Sequence, residues 1–206
     1  MSNKEREENR PTTDEDTPLI HRCQKGDLES FEALVEKHQK KMLNIAFRMI
    51  GDYEEACEVV QDAFLSVHRS IKKFKGNARF STWLYRIVVN LSKNRLKQMK
   101  VRLSRKGPSI DDPVENEDGR FQREFAGHEP SLQEQLEKEE INAIVQRCVN
   151  SLDEEYREII VLRDIQGLSY DEISDILDIP DGTVKSRLFR ARDALKDRLQ
   201  KMLRGL

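Results

Sequence analysis

Residues 107–131, GPSIDDPVENEDGRFQREFAGHEPS, constrain the fold more than any other segment because they interrupt an otherwise helical pattern. The segment holds three prolines, three glycines and many acidic residues, without a sustained apolar period. This composition predicts a flexible acidic linker. The chain has 206 residues, 37% apolar and 36% charged, which is too polar for one large core. We therefore expect two small domains, one on each side of the linker.

Apolar residues recur at helical spacing in the first half of the chain and predict three amphipathic helices. Gly51 and Asp52 close the first of these, and Ser81 or Asn77 lies near the start of the third. No segment alternates as a strand does, and no hairpin dipeptide joins two apolar runs. The predicted fold is all-α. The apolar positions are Phe31, Leu34, Val35, Met42, Ile45, Ala46 and Met49, then Ala56, Val60, Ala63 and Val67, then Phe80, Leu84, Ile87 and Leu91.

A helix-turn-helix is predicted between Leu168 and Leu195. Ser169 and Glu172 form a capping box that starts one helix, and the run Asp178 to Pro180 ends it. A second helix opens near Gly182 with an apolar stripe of Val184, Leu188, Ala191 and Leu195. A plain helical hairpin is the alternative that this pattern leaves open.

The second of these helices carries outward side chains that suit a DNA major groove. Arginine and lysine donate to guanine, serine bonds either type of base edge, and phenylalanine or a threonine methyl touches a thymine methyl. Phe189 has a second explanation, which is packing against a neighbouring helix. The candidate residues are Thr183, Lys185, Ser186, Arg187, Phe189 and Arg190.

The formal charge of −2 conceals a strong segregation of charges along the chain. Residues 69–106 contain thirteen Lys or Arg and no acidic residue, whereas residues 107–140 contain eleven acidic residues and three basic ones. The basic block also holds aromatic residues, among them Phe74 and Trp83. We interpret it as a nucleic-acid contact rather than a solvated face. Trp83 alone is explained equally well as a core residue.

Other chemistries find no support in the residue pattern. The three cysteines and four histidines are scattered, so we predict free thiols, no metal site, no cofactor and no catalytic dyad. The start of the chain is polar and no long apolar run follows. We expect a cytoplasmic protein without direct membrane insertion.

Two segments resemble the extracytoplasmic-function (ECF) sigma factors, the compact branch of the bacterial sigma-70 family. The run LDEEYREIIVLRDIQGLSYDEISDILDIPDGTVKSRLFRARDAL is similar to their region 4, and ACEVVQDAFLSVHRSIKKFKGNARFSTWLYRIVVNLSKNRL to their region 2. Together the matches span about residues 20–100 and 138–200. The resemblance implies a polar tail over 1–18, region 2 over 19–104, the linker over 105–137 and region 4 over 138–206.

The resemblance also implies a function and its partners. The chain would be a non-enzymatic subunit that binds the clamp helices and flap of core RNA polymerase and directs transcription initiation at a restricted set of promoters. Such factors commonly act in stress responses under a cognate anti-sigma factor. Two alternatives remain at this point: an autonomous helix-turn-helix regulator that dimerises on a palindrome, and an adaptor or decoy that binds an anti-sigma factor.

Residue roles carried over from region 2 fall into two groups. Residues around EVVQDAF match the helix that contacts the polymerase clamp, directly or as support: Glu58, Gln61, Asp62 and Phe64. Cys57 stands where the family is usually acidic. The basic block matches the part that opens and reads the −10 promoter element, with a glycine-containing loop that receives a flipped base: Lys75, Gly76, Asn77, Arg79, Trp83, Asn90, Lys93, Asn94 and Lys97.

Overall fold

The protein is helical throughout the residues that its structure, a computed structural model, describes: 14–106 and 132–204. The predicted all-α class is confirmed. Residues 1–13 of the predicted tail and 107–131 of the predicted linker lie outside the described ranges. The helices are α1 (Thr17–Gln24), α2 (Leu28–Ile50), α3 (Tyr53–Ser70), α4 (Phe80–Lys106), α5 (Leu132–Asn150), α6 (Glu154–Ile160), α7 (Tyr170–Leu177) and α8 (Asp181–Leu203).

The amino-terminal domain consists of α1 to α4, with a 3₁₀ turn at Ile71–Lys73. Asp27 caps α2 by accepting a hydrogen bond from the Glu29 amide at 3.1 Å, and Asp52 caps α3 through the Glu55 amide at 2.9 Å. Between these helices Gly51 adopts the left-handed conformation, with φ of 84°, which ends α2 as predicted. The predicted apolar stripes form the core of this domain, where Leu34, Met42, Ile45, Ala56, Ala63, Val67, Phe80 and Leu84 are fully buried.

The start of α4 is capped from a distant part of the chain. The Phe80 amide donates to Oδ2 of Asp14 at 2.6 Å. The local sequence offered Ser81 or Asn77 near this start, and neither is the residue that caps Phe80. The cap lies 66 positions away along the chain, so a search of neighbouring residues does not find it.

The carboxyl-terminal domain consists of α5 to α8, with α6 continuing into a π-helical turn at Val161–Ile165. The capping box of Ser169 and Glu172 is present, and Asp178 ends α7 in the left-handed conformation. Val184, Leu188 and Ala191 of α8 are buried as predicted. The helices extend further into the linker than predicted, because α4 continues to Lys106 and α5 begins at Leu132.

The two domains pack together at the carboxyl end of α2. The Gln146 amide donates to the carbonyl oxygen of Arg48 at 3.3 Å, and Nη1 of Arg157 donates to that of Met49 at 2.7 Å. The last turn of α2 is thereby satisfied by side chains of the other domain. Gly51 also approaches closely, since a Cβ there would lie 2.0 Å from Nδ2 of Asn150. A side chain at position 51 would therefore have to displace the Asn150 side chain and would strain this left-handed backbone.

Candidate nucleic-acid and polymerase interfaces

A cleft of about 420 Å³ opens between the start of α4 and the loop that precedes it. Four residues predicted for the −10 element line it: Lys75, Gly76, Asn77 and Trp83. Gly76 has φ of 73°, a conformation that favours glycine, so the loop turns here without strain. Sequence reasoning missed the remaining lining residues, which are Ser70, Lys73, Phe74, Ala78, Thr82 and Arg86.

Aromatic rings build one wall of this cleft. The Trp83 ring lies 4.9 Å from that of Phe74, tilted by 32°, and 5.9 Å from that of Phe80. Phe80 is fully buried, whereas Trp83 is only partly buried and still lines the cleft. Trp83 therefore packs on the core and also leaves part of its ring in the cleft lining; its role as a surface on which a base stacks stays a prediction.

The other predicted −10 residues lie outside the cleft lining. Asn90, Asn94 and Lys97 are exposed along α4. Arg79 is exposed at the end of the loop, and Lys93 is partly buried further along the helix. The structure thus divides the predicted set into a cleft and a polar track along α4.

The recognition helix α8 presents most of its predicted contacts to solvent. Lys185, Ser186 and Arg190 are exposed, and Phe189 is 77% exposed, which excludes packing of its ring against a neighbouring described helix. Thr183 is partly buried. Arg187 lies apart from this face.

Arg187 is tied to two acidic residues of α6. Its side chain is only 19% exposed, and its guanidinium lies 3.2 Å from Oε2 of Glu155 and 3.5 Å from Oε1 of Glu158. These ion pairs hold α6 against α8. In this arrangement the Arg187 guanidinium is not presented with the exposed side chains of α8.

The predicted polymerase contacts lie on one face of α3. The side chains of Glu58 and Asp62 are 63% and 59% exposed, and Gln61 is exposed. Leu65 beside them is 53% exposed. Phe64, in contrast, is only 8% exposed and belongs to the core, so it supports this face from within.

Arg95 of α4 organises the acidic part of this face. Its guanidinium lies 2.6 Å from Glu55, 2.7 Å from Glu58 and 3.8 Å from Asp62. A side chain that pairs with several carboxylates fixes their geometry and reduces their mutual repulsion. The sequence did not predict this role of Arg95, because Arg95 belongs to the basic block of α4 whereas its partners lie on α3.

Comparisons with known proteins agree with this two-domain arrangement. The family models for Sigma-70 region 2 and Sigma-70, region 4 match residues 34–101 and 142–195. The RNA polymerase sigma-H factor of Pseudomonas aeruginosa is 38% identical over 198 residues, which cover 94% of this chain and 98% of that protein. The ECF RNA polymerase sigma-E factor of Escherichia coli K12 is 42% identical over 193 residues, covering 92% and 96%.

The chain is an ECF sigma factor of the sigma-70 family. It therefore binds core RNA polymerase and directs promoter-specific transcription initiation, and it is not an enzyme. This membership decides against the autonomous regulator and the adaptor. The structure of CnrH in complex with the cytosolic domain of CnrY matches with a TM-score of 0.63 at 24% identity, covering 91% of this chain and 99% of that one. That likeness shows a shared fold.

In this sigma factor, basic side chains of α4 and of the loop before it contact region 4. The guanidinium of Arg79 lies 3.7 Å from Glu172, and Arg86 in the cleft donates to the carbonyl oxygen of Asp175. Further along α4, the Lys93 ammonium lies 3.0 Å from Oε2 of Glu158. Within α7, the Glu172 carboxylate and the carbonyl oxygen of Asp175 are the groups that meet these basic side chains.

Glu158 connects α4 and α8, the two helices predicted to contact DNA. Its carboxylate contacts Lys93 of α4 through one oxygen and Arg187 of α8 through the other, and only 3% of its side chain is exposed. Burial raises the pKa of Glu158 above its ordinary value, although both cations oppose this. Its buried charge is therefore compensated only in part.

Within residues 14–106 and 132–204, no group of three His, Cys, Asp or Glu side chains is placed to hold a metal ion. No described helix is long and apolar enough to cross a membrane. Cys23 and Cys148 are buried free thiols, and Cys57 is a partly buried one. Burial raises the pKa of the Cys23 and Cys148 thiols, which leaves them protonated and poorly reactive.

Proposed function

We propose that this sigma factor opens promoters by capturing an unpaired base of the −10 element in the cleft before α4. The observation that carries the proposal is the cleft itself: an aromatic wall at Trp83, a turn at Gly76 and cationic side chains at its rim. Unstacking a base costs a few kcal/mol. Stacking on an aromatic ring and contact with a cationic groove offset that cost.

Asn90, Lys93, Asn94 and Lys97 extend the interface along α4 towards neighbouring nucleotides. Their amide and ammonium groups bond phosphates and base edges. Lys93 must first leave Glu158, from which it lies 3.0 Å away. DNA binding along α4 is accordingly coupled to separation of the two regions.

We assign the −35 element to the exposed face of α8. Lys185, Ser186, Phe189 and Arg190 lie within one and a half helical turns, which is enough to reach a few successive base pairs. Thr183 is near the amino terminus of the helix, where a phosphate is also well placed.

The polymerase clamp is assigned to the α3 face of Glu58, Gln61, Asp62 and Leu65. Charged groups around an exposed apolar side chain are the usual composition of a protein interface. Phe64 supports this face from the core, and Arg95 orders its carboxylates. The face remains exposed while regions 2 and 4 are packed together, so core polymerase has access to it.

Control by an anti-sigma factor in a stress response is part of the proposal. The fold is shared with CnrH, which was solved with the cytosolic domain of CnrY, and with RpoE of Bartonella quintana, which was solved with the anti-sigma factor NepR. The RpoE match has a TM-score of 0.61 at 20% identity and covers 84% of this chain and 98% of that one. Because the partner polymerase acts on chromosomal DNA, we place this protein in the cytoplasm.

Reconstitution with core RNA polymerase tests the proposal. The chain alone should bind a promoter duplex weakly, and addition of core should give specific binding and a bubble whose thymines react with permanganate. The template is a promoter library randomised across the −10 and −35 elements. Specific binding of a palindrome without core would contradict the proposed mechanism.

A further inference from the structure

The loop over residues 74–79 forms the floor and one rim of the cleft, and both of its ends are held by the segment from Asp14 to Gln24. This segment lies before the part of the chain that matches region 2, which begins at residue 34. It comprises the residues just before α1 and the whole of that helix. Two of its side chains, one at each end of the segment, form hydrogen bonds at the two ends of the loop.

Gln24, the last residue of α1, holds the beginning of the loop. Its side-chain amide donates to the carbonyl oxygen of Ile71 at 3.1 Å and to that of Phe74 at 2.9 Å. Both carbonyls belong to the 3₁₀ turn and its end, where the chain leaves helical geometry. The contact therefore sets the point at which Phe74, part of the aromatic wall, enters the cleft.

Asp14 holds the end of the loop. Its Oδ2 accepts the hydrogen bond of the Phe80 amide at 2.6 Å, and its Oδ1 accepts that of the Asp16 amide at 3.1 Å. A carboxylate at a helix amino terminus satisfies an amide that lacks a helical partner and compensates the helix dipole. Because Trp83 lies about one turn further along α4, this cap also fixes the position of Trp83 in the aromatic wall.

The segment is itself anchored, so it can serve as a rigid support. Ile20 and Cys23 of α1 are buried in the core. Asp16 is 2% exposed, and its carboxylate lies 2.7 Å from Lys37 and 2.7 Å from His38. The His38 ring lies 5.4 Å from that of Phe80. Asp14 and Gln24 therefore project from a fixed frame onto the two ends of the loop.

We propose that Asp14 and Gln24 are positioning residues for promoter opening, because they clamp both ends of loop 74–79 and form the cleft before DNA enters. This inference rests on the proposed function of the cleft. A cleft formed in advance does not pay the entropy of ordering the loop when the base binds. Loss of either clamp should weaken capture of single-stranded DNA without affecting the α3 face.

The test uses the full chain bound to core RNA polymerase. The probe is a fluorescein-labelled single-stranded oligonucleotide carrying the −10 sequence that the wild-type holoenzyme selects from a randomised pool. Asp14→Ala and Gln24→Glu should each weaken probe binding about five- to tenfold, while affinity for core stays unchanged. Gln24→Glu keeps the size of the side chain but places a carboxylate against two carbonyl oxygens.

Two further variants separate positioning from general effects. Asp14→Asn retains an oxygen that caps the helix and should bind the probe within about twofold of wild type. Glu15→Ala removes the neighbouring carboxylate, whose side chain is 89% exposed and pairs with Lys37, and it should leave probe binding unchanged. If Asp14→Ala and Gln24→Glu bind the probe as Glu15→Ala does, the inference is overturned.

The outcome also distinguishes the clamp from the cleft. If Lys75→Ala and Trp83→Ala leave probe binding unchanged, the cleft does not capture the base, and the proposed function fails together with the inference. If those two variants weaken binding and the clamp variants do not, the clamp alone is wrong. Circular dichroism monitors the folding of each variant. If Asp14→Ala fails to fold, probe binding by Gln24→Glu decides the inference. If neither variant folds, the two residues act in domain stability and the inference is overturned.

Discussion

The two DNA-facing regions of this sigma factor differ in what covers them. Arg79, just before α4, and Lys93 of α4 pair with carboxylates of region 4, and Arg86 of α4 bonds a carbonyl oxygen of α7. On α8, Lys185, Phe189 and Arg190 are exposed. The same packing thus engages the surface predicted for the −10 element and leaves the surface predicted for the −35 element accessible. The acidic first helix of the helix-turn-helix, α7, therefore has a basic partner within the chain, at the start of α4.

The largest expected effect tests the packing itself. Arg157 is 7% exposed. It donates to the carbonyl oxygen of Met49 in the other domain and to that of Leu152 in its own domain. Arg157→Met fills the volume but leaves buried acceptors unpaired, and it should lower the free energy of unfolding by about 3 kcal/mol. Denaturant titration measures this. An unchanged midpoint and slope would mean that this contact does not stabilise the fold.

The second expected effect concerns the exposed side of the comparison. Arg190→Ala should cost about 1 to 3 kcal/mol of discrimination at one −35 base pair, provided that it donates to a guanine. Its stability should stay within about 0.5 kcal/mol of wild type, because surface substitutions away from buried features are usually neutral. Transcription from the randomised library measures the first quantity. Equal losses on every sequence would reassign Arg190 to a phosphate contact.

The third prediction uses pH and concerns Glu158, where both regions meet. Its pKa is raised by burial, so the folded state binds its proton more tightly than the unfolded state. This group therefore favours folding increasingly as pH falls from above its folded pKa towards its ordinary, unfolded value. Glu158→Gln removes that dependence. The free energy of unfolding of wild type minus variant should rise as pH is lowered through this window, measured by denaturant titration, and a constant difference would contradict the prediction.

The smallest expected effect concerns Glu172, which pairs with Arg79 across partly exposed surfaces. Glu172→Gln should strengthen binding of single-stranded DNA to the chain alone by no more than about fivefold, since exposed ion pairs are worth about 0.2 to 1 kcal/mol. The gain should disappear at high salt. Asp178→Asn is the matched control, because it removes an exposed acidic charge at the far end of α7 where asparagine tolerates the left-handed conformation. An equal gain from both variants would indicate a general charge effect.

The sequence predicted the local features of both regions because they depend on neighbouring residues. Helical spacing identified the buried stripes of α3 and α8, and the capping box at Ser169 placed the start of α7. Glu58 and Asp62, which were assigned through the resemblance, lie on the exposed face of α3. Phe64 was assigned through the resemblance, whereas its burial follows from the packing of α3 against the rest of the domain.

Contacts between residues that are distant in sequence were not predicted. Arg187 is of a residue type that reads bases, yet it forms ion pairs with two glutamates some thirty positions earlier in the chain. Arg95 belongs by composition to the basic block, but it orders the acidic face of α3. Charge patterns along the chain record the sign of each group and carry no information about which opposite charge it meets.

The helical class and the helix-turn-helix could be read from the sequence, because periodicity, caps and turn residues act over a few positions. The two regions and the family came from the resemblance of two segments to known sigma factors. Only the tertiary structure decided that α7 lies against α4, that Glu158 joins Lys93 to Arg187, and that Asp14 and Gln24 grip the cleft loop. Each of these contacts joins groups separated by tens of residues. Their formation depends on how buried surfaces pack in three dimensions, which no local pattern encodes.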